Sequence, residues 1–134
     1  MLKRPMLLAR EYPDLNTISY PQYGSPKLDG IRTVISCGKA LSRTMADVPN
    51  NFMREYLSNP QFNGFDGEVI VGSTSGAEVL KRSSSAWRSA SHPNESNFNF
   101  FVFDDFSSDD GFAGRQKQLL ERVKLLNYGS AKKR

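Results

Sequence analysis

The chain has 134 residues, of which 38% are apolar and 24% charged, a composition that fits one folded globular domain and excludes a disordered or fibrous chain. A net charge of +4 is compatible with an anionic partner and also with simple solubility. The single cysteine, Cys37, and the single histidine, His92, exclude an internal disulfide and a Cys/His metal set, so any metal must be held by oxygens.

Along the chain, the opening "MLKRPMLLAREYP" is too short and too charged for a signal peptide, and no apolar run approaches the ~18 residues of a membrane helix, so the expected setting is intracellular. The segments "QYGSPKL" and "RTVISCG" flank Asp29-Gly30, and an Asp-Gly pair between apolar runs predicts a hairpin there. "KALSR" reads as the next strand. Asp47 is the expected cap of a helix with Pro49 in its first turn, since Phe52, Met53, Tyr56 and Leu57 recur at helical spacing up to about Asn59-Pro60.

"GFDGEVIV" then reads as a strand, with Asp66 and Glu68 on one face and Phe65, Val69 and Val71 on the other. "SGAEVLKRSSSAW" predicts a short helix and "FNFFVFDDF" an aromatic strand. Residues Gly114 to Leu126 predict an amphipathic helix with Leu119, Val123 and Leu126 on its apolar face. Strands joined by tight turns must be antiparallel, so the expected class is α+β, an antiparallel β-sheet with flanking helices, in a single domain over residues 1–134.

Three stretches carry chemistry. In "SPKLDGIR", Lys-x-Asp-Gly-x-Arg fixes four residues, and at an average usage of roughly 5 to 7% each a chain this long shows the pattern by chance on the order of once in a thousand. The bland alternative is a turn whose charged neighbours, Lys27 and Arg32, are simply solvated. "FDGE" repeats a carboxylate on one strand face, which marks either a wet surface or a site. "FFVFDDF" puts Phe101 and Phe103 on one face, where core packing is the simple explanation. Lys132, Lys133 and Arg134 read as a solvated basic terminus.

In this order, the three stretches resemble the nucleotidyltransferase domain of ATP-dependent DNA ligases, especially the small viral type: "KLDGIR" is similar to motif I, "FDGE" to motif III and "FFVFD" to motif IIIa. "KRPMLLA" is similar to the lead-in of the small viral enzymes, and "ALSRTM" to the arginine-bearing strand after motif I. The resemblance runs from Lys3 to about the final helix. It implies part of an ATP-grasp-like nucleotidyltransferase fold, with ATP and Mg²⁺ as cofactors and nicked double-stranded DNA as partner. It also implies three-step chemistry: a lysine attacks the α-phosphate of ATP to give lysyl-AMP, AMP passes to the 5′-phosphate of the nick, and the 3′-hydroxyl displaces it.

Position by position, the resemblance implies Lys27 as the nucleophile, Arg32 on the ribose and Glu68 accepting from a ribose hydroxyl or holding metal. Phe103 is expected to stack on adenine, Arg43 to contact the nick 5′-phosphate, and Ser25 to touch the adenine edge. At a reference pKa near 10.4 only ~0.1% of a lysine is neutral around pH 7.4, so the chemistry calls for a divalent cation or a lowered pKa. A second acidic motif, a lysine pair and an oligonucleotide-binding domain are expected in a complete enzyme of the family and are absent from the sequence. The expectation is therefore the N-terminal part of the adenylation domain, truncated, split or engineered, with a second chain as one source of the remainder. An RNA ligase or mRNA-capping guanylyltransferase relative, and a non-catalytic nucleic-acid-binding remnant, stay open.

Overall fold

A computed structural model describes residues 4–8 and 14–132, with side chains to residue 126. The ends of the "KRPMLLA" lead-in, Lys3 and Ala9, lie outside the described residues, as do Lys133 and Arg134 of the basic terminus. Four strands, β1 (Ile31–Ser36), β2 (Lys39–Ser42), β3 (Phe65–Val71) and β4 (Phe98–Asp105), form one antiparallel sheet in the order β2-β1-β3-β4. Helices α1 (Asn51–Leu57) and α2 (Val79–Arg88) lie between β2 and β3 and between β3 and β4 in the chain, and α3 (Phe112–Lys132) follows β4. The α+β antiparallel class expected from the sequence is the one observed. Among the described residues no helix is long and apolar enough to cross a membrane.

Strand alternation gives the sheet two unlike faces. Ile31, Ile35, Phe65, Val69 and Val71 point to one side, where Met53 and Leu57 of α1, Ala86 and Trp87 of α2, and Leu119 of α3 cover them. Burying these side chains, each worth about 1.5 to 3 kcal/mol when fully removed from water, makes this face the main core. The other face carries Arg32, Asp66 and Glu68, and it includes a small apolar cluster of Met6, Val34 and Leu41.

Two local expectations are corrected. The hairpin expected at Asp29-Gly30 does not form: residues 22–29 have no regular structure, and Gly30 donates its N–H to the Glu68 carboxylate, 2.9 Å away, rather than across a turn. Pro21 and Pro26 lack the N–H groups that a paired strand needs there. The real hairpin joins β1 and β2 through Cys37 and Gly38, with φ of 52° and 75°, the two left-handed residues of a type I′ turn. Asp47 does not cap α1 either, because it is drawn into a bridge with Leu41. The cap is Asn50, whose side-chain oxygen Oδ1 accepts the Met53 N–H at 2.9 Å. Its buried amide also donates to Ser89 O and Glu95, tying α1 to the end of α2.

Candidate functional site

The site grows from the pairing of β1 with β3. Arg32 lies opposite Glu68 in the register, and Asp66 is its diagonal neighbour on the same face. The Arg32 guanidinium takes both oxygens of Asp66, Nε to Oδ1 at 2.7 Å and Nη2 to Oδ2 at 2.6 Å, and Nη2 also donates to Leu7 O at 3.0 Å. This bidentate grip fixes the plane of the guanidinium. It leaves Nη1 without a hydrogen-bond partner among the described residues.

Glu68 is positioned by half of itself. Its Oε2 accepts the Gly30 N–H, so Oε1 remains able to accept from another group. The motif glycines are steric requirements of this arrangement. A Cβ at Gly30 would lie 2.5 Å from Val69 O and 2.7 Å from Ile70 Cγ1, and a Cβ at Gly67 would collide with Phe101 O. Neither glycine has a positive φ, so close approach of backbone rather than turn geometry explains them.

Between β3 and β4 the register breaks at Asp66/Gly67: Val102 lies opposite Gly67 and Asp104 opposite Asp66, which leaves Phe103 with no residue opposite it. A bulge of this kind re-aims a side chain. Here the Phe103 ring comes to lie against Arg32, 5.0 Å from ring centroid to guanidinium carbon, as a cation–π contact.

The electrostatics are those of a crowded acidic face. Burial pushes the Asp66 carboxyl above its usual range, with Arg32 opposing and Asp104 adding to the rise. Burial also raises Glu68, against the Gly30 N–H and Arg32 and with the help of Asp29 and Asp66. The hydrogen bonds to Asp66 hold the Arg32 guanidinium more firmly charged than usual. One cation therefore organises several carboxylates.

The structure brings Arg32, Glu68 and Phe103 together on one face. Lys27 precedes β1 by a few residues and is exposed, as is Ser25, in the segment without regular structure. Arg43 is exposed in the turn that follows β2 and lines a small cavity together with Arg32. Reading the sequence for ribose and adenine contacts missed Asp66 as the partner of Arg32. The signal was present, since alternation placed Asp66 on the face of Glu68.

The donor set does not by itself fit a chain-held Mg²⁺. Among the described residues no three carboxylate, histidine or cysteine groups converge. Asp66 has both oxygens on Arg32, and Glu68 has one on Gly30.

No family model matches the chain, and no curated protein does. Solved structures do. A crystal structure of Chlorella virus DNA ligase-adenylate matches 87% of this chain with a TM-score of 0.71 at 21% identity. The fold is shared with a viral DNA ligase. A second crystal structure of the same ligase-adenylate matches 85% of the chain with a TM-score of 0.70 at 24% identity. The chain spans 42% and 40% of those ligase chains, so the shared DNA ligase fold concerns a part of them. The fold expected from the three stretches is thus the one found, with "KLDGIR" leading into β1, "FDGE" on β3 and "FFVFD" on β4.

Proposed function

We propose that the chain carries the nucleotide-binding and lysine-bearing part of an ATP-dependent DNA ligase. The observation that carries this reading is the convergence of Arg32, Glu68 and Phe103 on one sheet face, in a fold shared with a DNA ligase-adenylate and directly after the strand entry that bears Lys27. Each of the three side chains is held in place and keeps a further surface available. Arg32 is clamped by Asp66 and retains Nη1; Glu68 is held by Gly30 and retains Oε1. A ribose offers a hydroxyl acceptor to the first and a hydroxyl donor to the second. Phe103 offers an aromatic face of the kind on which a base stacks.

In the reaction, the neutral Nζ of Lys27 donates its lone pair to the α-phosphorus of ATP. A P–N bond forms, the bridging bond between the α- and β-phosphates breaks, pyrophosphate leaves and Nζ loses a proton. Exposure gives Lys27 access to a substrate, and the flexible four-carbon stem lets the amine reach the phosphorus once the nucleoside is seated. Mg²⁺ would screen the triphosphate charge when it arrives on the substrate oxygens. AMP would then pass to the 5′-phosphate of a nicked duplex, with Arg43 as the phosphate contact.

Incubation with α-labelled ATP or GTP, with and without a nicked duplex, tests the reading. Label from ATP that is lost in Lys27→Ala supports it, and label from GTP alone would transfer the site to capping chemistry. Absence of label, with the remaining ligase segments supplied in trans from the Chlorella virus protein, would reduce the chain to a binding remnant.

A further inference from the structure

Arg88 and Ser84 belong to none of the sequence motifs, yet they share a cavity with Arg43. The cavity, about 230 Å³, sits where β1 begins and is bounded by Ile31 and Arg32, by Ser42, Arg43 and Thr44 at the end of β2 and in the turn after it, and by Ser84, Trp87 and Arg88 of α2. No carboxylate lines it. Its polar groups are therefore guanidiniums and hydroxyls over an indole, a set rich in donors.

An arginine in the last turn of a helix commonly offsets the helix dipole. At the end of α2, donors from the start of α1 also take carbonyl oxygens in and just beyond the last turn. Trp87 O accepts the Asn50 N–H at 3.0 Å, Ser89 O accepts the Asn50 side-chain amide at 3.0 Å, and Ala90 O accepts the Asn51 N–H at 3.1 Å. Arg4 at the exposed N-terminal end has no partner among the described residues, and of the arginines from β1 onward Arg32, Arg115 and Arg122 are tied to aspartates and Arg54 and Arg82 to carbonyl oxygens. Arg43 and Arg88 donate to no partner among the described residues, and both are exposed beside the same cavity.

We propose that Arg88 and Ser84 complete, with Arg43 and Thr44, a pocket for a terminal DNA phosphate, so that α2 supplies a second guanidinium to the site. The proposal rests on the ligase reading above and adds residues to it. Arg32 in the same wall is already held by Asp66, whereas Arg43 and Arg88 carry no bonded acid among the described residues, and two such forks suit the two negative charges of a phosphate monoester better than the single charge of a diester. The pocket also lies at the start of β1, a few residues along the chain from Lys27.

The test is fluorescence anisotropy, without ATP, on nicked duplexes that carry either a 5′-phosphate or a 5′-hydroxyl at the nick. The wild-type chain should prefer the phosphate. Arg88→Gln should lose about tenfold on the phosphorylated duplex only, and Arg88→Lys should recover part of it. Ser84→Ala should lose about threefold. The salt dependence of binding should fall by about one ion in Arg88→Gln, with an unchanged melting temperature, which a purely structural arginine would not produce. Equal loss on both duplexes, or no phosphate preference in the wild type, would overturn the pocket. The outcome is separable from adenylation: a phosphate preference that vanishes in Arg88→Gln while Lys27 takes no AMP keeps the pocket and removes the ligase reading, and the reverse pattern does the opposite.

Discussion

Two of the arginine–aspartate–phenylalanine clusters stand on opposite faces of the sheet, and they are built from the same parts to different ends. On the open face Arg32 grips Asp66, lies against Phe103 and donates to Leu7 O. On the helix-packed face Arg122 of α3 grips Asp105, lies 4.2 Å over the Phe65 ring and donates to Gln61 O and Asn63 O, both at 3.0 Å. The difference is in the carboxylate. Asp105 also accepts the Ser107 N–H and hydroxyl on its other oxygen, and although burial works against the charge, these bonds and Arg122 together hold its carboxyl below the usual range. Asp66 has only Arg32 against its burial and lies beside other acids, which is why its carboxyl moves up instead. One cluster is saturated and fastens α3 to β4. The other is left short of donors on a face that a nucleotide could complete.

Breaking the saturated cluster should give the largest change. Asp105→Ala leaves Arg122 and the Ser107 N–H without their buried acceptor, and should cost roughly 3 kcal/mol of stability in denaturant unfolding while ATP labelling per folded molecule stays as in the wild type. Asp66→Asn acts the other way. It keeps the shape and removes the charge that orients Arg32, so labelling of Lys27 by ATP should fall about 10²-fold, with a smaller loss of stability. If Asp66→Asn unfolds the chain as Asp105→Ala does, with labelling of the folded fraction unchanged, the two clusters are both structural.

Phe103 sharpens the contrast more finely. Phe103→Ala should raise the ATP concentration needed for labelling by an amount equal to ~1 to 3 kcal/mol of lost stacking. A large fall in melting temperature with unchanged ATP dependence would instead assign the ring to packing.

The smallest effect is in pH, and it has opposite signs for the two faces. Asp105, lowered in the folded state, contributes stability that is present above the ordinary carboxylate value near 4 and is lost as pH falls through that value towards its folded one. Asp66 and Glu68 are raised, so the folded state takes up protons first; their charged burial costs stability at neutral pH, and the cost is relieved as pH falls through their folded values. Melting temperature against pH should therefore rise slightly on mild acidification and drop below about pH 4. Asp105→Asn should flatten the drop, and Asp66→Asn should remove part of the rise.

These clusters show what was legible in the sequence. The strands, the helices and the face shared by Asp66 and Glu68 follow from periodicity, because burial on one side repeats with the pleat or the helical turn. Glu68, Arg32 and Phe103 were legible as a set because their motifs are short and local. The pairing of Arg32 with Asp66 depends on the register of strands 34 residues apart in the chain, and the aim of Phe103 depends on a bulge, neither of which leaves a local mark. Asp29-Gly30 misled for a related reason. Gly30 is glycine because β3 passes close to it, and a close approach and a tight turn select the same residue.

The two faces each contain a backbone amide that donates to a carboxylate, Gly30 to Glu68 and Ser107 to Asp105, at 2.9 and 3.0 Å. The most direct measurement is therefore a ¹H–¹⁵N NMR titration of the chain with ATP, following those two amide signals. A ribose on the free oxygen of Glu68 should shift the Gly30 amide in a saturable way and leave the Ser107 amide in place. A saturating titration that moves neither signal, or that moves Ser107 while Gly30 stays fixed, would contradict the assignment of the open face to the nucleotide.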